Sequence, residues 1–226
     1  MSNLVVLSTH YIGVATANGL CAKNISQALK EKGHFVNVVC YQNDKEKEEN
    51  SSGYFYTINP NNTRSLNLIQ IVAKRIIRSA QLLLGSTRFI YNDYVVAQYY
   101  QKLCLIHKEK NIDMIISMFF PIEAVQALFL FKQNNPNVKT VIYELDSIGD
   151  GIGNSKFQNL LGRIYLKWLN EIYSVLDYVF IMKSHEKYWL DTFGVKFKSK
   201  LKVVDIPVLV NKSQPNLFTD KISMIY

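Results

Sequence analysis

Strand, helix and strand follow one another within the first 41 residues, and that order leaves few folds open. Residues 3–8 carry a continuous apolar run, as a strand covered on both faces does. A helix over residues 18–32 follows, with Ile25, Ala28 and Leu29 as its apolar stripe and Gly33 in the position that ends a helix. Residues 35–41 (FVNVVCY) then form a second strand. Two strands joined through a helix in so short a span make a βαβ unit, which implies a right-handed crossover and a parallel sheet.

The alternation continues to the far end of the chain. Strands are predicted at 54–58, 113–118, 139–144, 178–182 and 201–206, and helices at 66–84, 91–109, 121–133, 156–176 and 186–193. Pro121 is placed at the first helical position of its helix. In the 91–109 helix, Val96, Tyr99, Tyr100, Leu103 and Ile106 turn inward, and in the 156–176 helix Phe157, Leu160, Ile164, Trp168, Ile172 and Leu176 do. The 66–84 helix is strongly amphipathic. Its polar stripe is Asn67, Gln70, Lys74, Arg78 and Gln81, and its apolar stripe, Leu68, Ile69, Val72, Ile76 and Leu83, is expected to pack on the sheet. The fold class is therefore α/β, a Rossmann-like parallel sheet with helices on both faces. Residues 1–207 form that domain. Residues 208–226 read as a linker followed by one further strand, KISMIY, the segment expected to be least well anchored.

Composition narrows the class further. At 226 residues and 48% hydrophobic content the chain can build one large core. The N-terminus has no basic region or cleavage-like site and reads as a first strand. No run of 18 uncharged apolar residues suggests a membrane span. Cys21, Cys40 and Cys104, odd in number and without metal-ligand spacing, read as reduced core thiols of a cytoplasmic protein. A net charge of +8 calls for an anionic partner or is simply a basic, soluble surface. No nucleic-acid-binding motif accompanies it, so no nucleic acid is expected. Residues 50–92 hold no acidic residue but carry Arg64, Lys74, Arg75, Arg78 and Arg88. Lys74, Arg75 and Arg78 are candidates to face an anionic membrane surface, peripherally and from the cytoplasmic side.

Four constellations could carry chemistry. The loop after the first strand offers His10 and Gly13, then Asn18 and Gly19 at the head of the helix. Ligands of open α/β sheets bind beyond the carboxyl ends of strands, and a helix N-terminus there presents N–H groups to an anion. The glycines equally suit a plain turn, and their spacing is not a dinucleotide fingerprint. His10 could act as a general base toward an acceptor hydroxyl, or merely line the loop. After the fifth strand, Glu144, Asp146 and Asp150 could grip sugar hydroxyls or orient a base; Asp146 and Asp150 also suit helix caps. Ser184 is a natural cap for the 186–193 helix, with His185 beside it. Phe119 and Phe120 end the fourth strand and either stack on a ligand or pack in the core.

Taken together, the phrases ANGLCAKNISQALKEKGHFVNVV, LDYVFIMKSHEKYWLDTFG and KLKVVDIPVL resemble the N-terminal, acceptor-side half of GT-B glycosyltransferases, in the broad group of glycosyltransferase family 4 that builds bacterial surface polysaccharides. The second phrase resembles that group's order of aspartate, strand, serine, short helix and glycine. Two departures stand out. Asn18-Gly19 replaces a common Gly-Gly pair, and the glutamate-bearing donor-domain signature would lie beyond Tyr226. The resemblance implies transfer of a sugar from a nucleotide-sugar to a saccharide or lipid-linked acceptor, with His10 and Asp146 as catalytic candidates. Gly13, Asn18, Gly19, Phe119, Glu144, Ser184 and His185 become candidates for substrate binding. It implies no metal and no cofactor beyond the nucleotide-sugar co-substrate. A separate donor-domain polypeptide would be the partner, and the isolated chain is expected to be inactive. The competing reading is a non-catalytic α/β binding or partner subunit at a membrane surface.

Overall fold

A computed structural model describes residues 1–9, 16–41, 54–59, 68–145 and 156–204. In chain order the elements are β1 (Asn3–Leu7), α1 (Ala17–Glu31), β2 (Phe35–Tyr41), β3 (Phe55–Ile58), α2 (Leu68–Leu83), α3 (Asp93–Glu109), β4 (Met114–Met118), α4 (Ile122–Asn134), β5 (Lys139–Glu144), α5 (Lys156–Val175), β6 (Tyr178–Ile181), α6 (Glu186–Phe193) and β7 (Leu201–Val203). Short 3-10 turns occupy Thr87–Phe89, Lys183–His185 and Gly194–Lys200. The strands form one seven-stranded sheet in the order β3-β2-β1-β4-β5-β6-β7. Every pairing is parallel, with Leu7 beside Val39 and Ser117, and Glu144 beside Ile181. The chain thus builds outward from β1 in one direction and then, from β4, in the other, the doubly wound Rossmann-like arrangement.

Alternation along the strands divides the core into two layers. Val5, Leu7, Val39, Ile115, Ile142 and Val179 face α3, α4 and α5, where Tyr99, Leu103, Phe131, Trp168 and Ile172 meet them. Leu4, Val6, Val36, Val38, Met118 and Tyr143 face the other way, toward Cys21 and Ala22 of α1. The Trp168 indole donates to Gln126 Oε1 at 2.7 Å, tying α5 to α4 inside the first layer. Gly33 ends α1 with φ +81°. Its N–H reaches Lys30 O and that of His34 reaches Leu29 O, a Schellman pair that closes the helix. Gly194, at φ +61°, ends α6 in a conformation that a side chain would strain.

Buried polar groups fix the amino ends of the strands. Asn3 donates through Nδ2 to Lys110 O and Asn111 O and through its N–H to Asp113 Oδ2, while its Oδ1 accepts from Asn37 Nδ2. At the other half of the sheet, Lys132 Nζ donates to Pro136 O, Val138 O and Asp177 Oδ2, each at 2.8 Å. Asp177 Oδ2 also accepts from the N–H and hydroxyl of Thr140, each at 2.9 Å. The aspartate that opens LDYVF is therefore a clamp between α4, β5 and β6, at the edge opposite the strands' carboxyl ends.

Four local expectations are corrected. Pro121 is the N-cap residue of α4 rather than its first helical residue, because its extended backbone (ψ 149°) lies outside the helix. Ser184 does not cap α6; it sits exposed inside the 3-10 turn, and His185 occupies the cap position without a side-chain cap bond. Cys21 and Cys40 are buried, but Cys104 is exposed on the outer side of α3. The fourth concerns α2, whose apolar stripe does not pack on the sheet: Val72, Ile76 and Leu83 are exposed. The cause is topological. α2 starts after the carboxyl end of β3 and delivers the chain to α3 at that same edge, so it does not run back across the sheet as a crossover helix does. Arg78 holds it instead, with its guanidinium 5.4 Å from the Phe89 ring centroid and a 3.3 Å bond to Phe89 O. Arg78 thus touches the neighbouring Phe89 turn, while Arg75 and the apolar residues Val72, Ile76 and Leu83 are exposed. The side chains of Leu68, Ile69, Lys74 and Phe157, and the expected terminal strand within 208–226, lie outside what the structure describes.

Removing the Asp177 carboxylate should be costly, because it strands the buried Lys132 ammonium. Asp177→Ala is expected to lower unfolding free energy by about 2–4 kcal/mol, measured by urea denaturation at neutral pH. Burial by itself would raise the Asp177 pKa, but bonds from Lys132 and Thr140 outweigh it and hold the carboxyl below its usual value. Its contribution is present above the unfolded value, about pH 4, and fades as pH falls through the lowered folded value. The gap between wild type and variant should therefore narrow in acid.

Candidate functional site

The strand order reverses between β1 and β4, so the chain segments that leave their carboxyl ends diverge and open a crevice. Elements from both halves of the fold supply its rim. Ser8 and Thr9 continue β1, and the N–H of Tyr41, at the end of β2, bonds to Thr9 O at 2.9 Å. Tyr99 of α3 donates its hydroxyl to Ser8 O at 2.7 Å, pinning the exit of β1 from below. Across the switch, Phe119 and Phe120 leave β4, joined to Pro121 by a cis peptide bond.

The N-terminus of α1 opens at this edge, and Thr16 caps it. Its hydroxyl accepts from Gly19 N at 3.1 Å and its carbonyl from Leu20 N at 2.9 Å. The Gly19 amide is thereby committed to the cap, and anion binding there would rest on Ala17 and Asn18. Asn18 Oδ1 is buried and has no hydrogen-bond partner among the described residues. His185 Nδ1, at the carboxyl end of β6, is in the same condition. A buried polar atom left unpaired is costly, and such atoms mark places where a ligand or water completes the bonding.

A carboxylate that the sequence reading did not single out stands at the switch itself. Glu123, in the first turn of α4, accepts from Asn92 N at 3.1 Å. Its charge reaches three phenols, Tyr41, Tyr99 and Tyr165, contributed by β2, α3 and α5. Burial chiefly, and then Glu123, raises the Tyr41 hydroxyl to about 12 and pushes Tyr165 up; Tyr99 is raised by burial first, then by Tyr41 and Cys40, with Glu123 last. Those phenols therefore stay protonated near neutrality and act as hydrogen-bond donors, as the fully buried Tyr99 already does to Ser8 O. A carboxylate with nearby phenolic donors can accept from, and donate to, the hydroxyls of a polar ligand.

The other site expectations divide cleanly by position. Phe119 is 1% exposed and meets Trp168 edge-on in the core, whereas Phe120 is 38% exposed and presents the only open ring of the pair. Glu144 ends β5 at this edge, yet it is buried and accepts from the Tyr173 hydroxyl of α5, beneath the rim. Burial raises its carboxyl to about 8. Ser184 is exposed, and beside it Lys183 pairs with Glu186. Arg75 and Arg78 are exposed on α2. His10, Gly13, Asp146 and Asp150 lie outside the described residues. Among the described residues no group of three or more His, Cys, Asp or Glu side chains could hold a metal ion, and no helix is long and apolar enough to cross a membrane. Thr16 was not singled out from the sequence, although a threonine directly ahead of a helix start is a signal for a cap; nothing short of the fold would have related Glu123 to Tyr41 and Tyr99.

No protein-family model matches the sequence, and no curated protein matches it. Similar solved structures include the DNA/pantothenate metabolism flavoprotein from Streptococcus pneumoniae, at 12% identity and a TM-score of 0.38 over 80% of each chain. A variant of Os79 from O. sativa in complex with UDP matches at 7% identity and a TM-score of 0.47 over 92% of this chain. This chain spans 53% of that protein's length. Likenesses this distant assign no activity. The Rossmann-like α/β assignment rests on the sheet order itself.

The raised Glu144 carboxyl makes a clear pH prediction. Between its unfolded value, about 4.3, and its folded value of about 8, the folded state keeps a proton that the unfolded state has lost. This contribution to stability is whole below the lower value and falls as pH rises through the upper one. Glu144→Gln keeps an acceptor for Tyr173 and removes the titration. Thermal melts should match wild type near pH 4 and exceed it above pH 8; equal melting curves across that range would show that Glu144 does not titrate as described.

Proposed function

We propose that this chain is the acceptor-side domain of a GT-B glycosyltransferase, holding a saccharide or lipid-linked acceptor at the carboxyl edge of its sheet. A nucleotide-sugar, bound by a separate donor domain or polypeptide, would be the co-substrate. The observation that carries this reading is the concentration of polar capacity at the switch point. Glu123 lies within electrostatic reach of Tyr41, Tyr99 and Tyr165, and Asn18 Oδ1, buried at the head of α1, has no hydrogen-bond partner among the described residues. Sugars are recognised through many hydroxyls, each donor and acceptor at once, and by aromatic faces. Carboxylate, phenol and amide groups with the exposed Phe120 ring suit that chemistry. The sequence resemblance to glycosyltransferase family 4 points the same way, and a peripheral position at the cytoplasmic face of a membrane accompanies it.

In such a site Glu123 orients an acceptor hydroxyl by accepting its proton in a charge-assisted hydrogen bond. Positioning of this kind supplies much of the rate enhancement in group transfer between two bound substrates. His10 and Asp146, which follow β1 and β5 in the sequence, remain the proposed acid–base groups.

Glu123→Gln tests the reading with little disturbance, since an amide oxygen can still accept from Asn92 N. Saccharide affinity, measured by ligand-observed NMR over a panel of short oligosaccharides and glycolipid headgroups, should fall about tenfold, the loss of one charge-assisted bond. The melting temperature should stay within a few degrees. Unchanged affinity in the variant, or no binding of any panel member by wild type, would sink the proposal and favour a non-catalytic α/β partner subunit.

A further inference from the structure

α2 presents an apolar face that the described residues leave open. Val72 is 46% exposed, Ile76 64%, Ile77 56%, Leu83 81% and Leu84 83%. At roughly 3.6 residues per turn, Val72, Ile76 and Leu83 share one side of the helix; Ile77 lies about a third of a turn round from them, and Leu84 follows the last helical residue. Arg75 and Arg78 lie on the remaining side, and Arg78 is the residue that ties α2 to Phe89. A soluble protein seldom leaves so contiguous a set of large aliphatic side chains in water.

The charge around that face indicates what covers it. Residues 50–92 contain five Arg or Lys residues and not one Asp or Glu. A protein groove would need its own acidic rim, supplied residue by residue. An anionic bilayer answers both features at once, with phosphates for the arginines and the acyl-chain boundary for the aliphatic face. The connectivity adds a direction: α2 joins β3 and α3 at the carboxyl edge of the sheet, the edge that carries Glu123 and Asn18.

We infer that α2 seats in the interface of an anionic lipid bilayer, its aliphatic face inserted and its arginines at the headgroups, so that the carboxyl edge of the sheet faces the membrane. This deepens the acceptor reading, because a lipid-linked acceptor would then present its saccharide to the crevice from below. It does not depend on that reading, since vesicles without any saccharide test it.

The experiment is co-sedimentation of the full chain with equimolar phosphatidylcholine–phosphatidylglycerol vesicles and with phosphatidylcholine alone, at low and high salt. Wild type should partition to the anionic vesicles and retain part of that binding in high salt, because insertion is not screened. Ile76→Asp combined with Leu83→Asp should lower partitioning about tenfold or more, with far-ultraviolet circular dichroism unchanged, as both side chains are exposed. Arg75→Gln with Arg88→Gln should remove mainly the salt-sensitive share. Equal binding by wild type and the aspartate pair, or no preference for anionic vesicles, overturns the inference. So does a wild-type dimer in sedimentation velocity that the aspartate pair dissociates while lipid binding is absent, which would make a second copy of this chain the occupant.

Discussion

The hydrogen-bond network centred on Asn3 sets the register from which the rest of the sheet grows. Asn3 is buried at the first residue of β1, and its side chain and N–H reach the ends of α3, β2 and the start of β4. Parallel strands pair with evenly spaced bonds and have little intrinsic preference for one register over another. A buried amide that must find its partners removes that freedom, because a slip of one residue would leave several polar groups unpaired in an apolar surrounding. Asp177 repeats the device for β5 and β6 through Lys132 and Thr140. Two polar clamps thus hold both halves of the sheet at its amino edge.

The opposite edge is organised differently. There the segments leaving β1 and β4 diverge and helices begin rather than end, so polar groups from several elements collect around the crevice. Asn18 and His185 each bring a buried atom with no partner among the described residues, while Glu123 and the Tyr41 and Tyr99 hydroxyls stand where the sheet changes direction. At the amino edge the two clamps satisfy their own polar groups, although His34 Nδ1 there is also buried without a partner among the described residues, whereas at the carboxyl edge Asn18 and His185 leave binding capacity. Stability and recognition are therefore separable in this chain, and substitutions at the two edges should report on different properties.

Much of the scaffold was legible because buried parallel strands read as apolar runs and each helix carries a stripe of period 3.6. Six of the seven described strands fall within a residue of their expected places, and β7 ends at Val203 where 206 was expected. What periodicity could not supply was direction. It drew the stripe of α2 correctly but not the body that the stripe meets, since that depends on where β3 and α3 leave the chain in space. At the end of β4, Met118 packs in the α1-side layer, Phe119 turns to the α3–α5 layer, and Phe120, two residues past the strand, is 38% exposed at the rim. Glu123 was overlooked because an acidic residue in the first turn of a helix already has a sufficient reason to be there, the helix dipole. Glu144 was singled out as an exposed grip for sugars, and only Tyr173, 29 residues further along the chain, reveals it as a buried group.

The claim that binding belongs to the carboxyl edge, and structure to the amino edge, can be tested by one measurement. Backbone amide shifts of the isotopically labelled chain would be followed during titration with the short oligosaccharide that binds best. The account predicts that the largest changes cluster at Thr9, Ala17, Asn18, Phe120, Glu123 and His185, with Asn3, Asn37, Asp113 and Asp177 unmoved. Changes centred on the Asn3 or Asp177 clamps, or spread evenly over both edges, would contradict it.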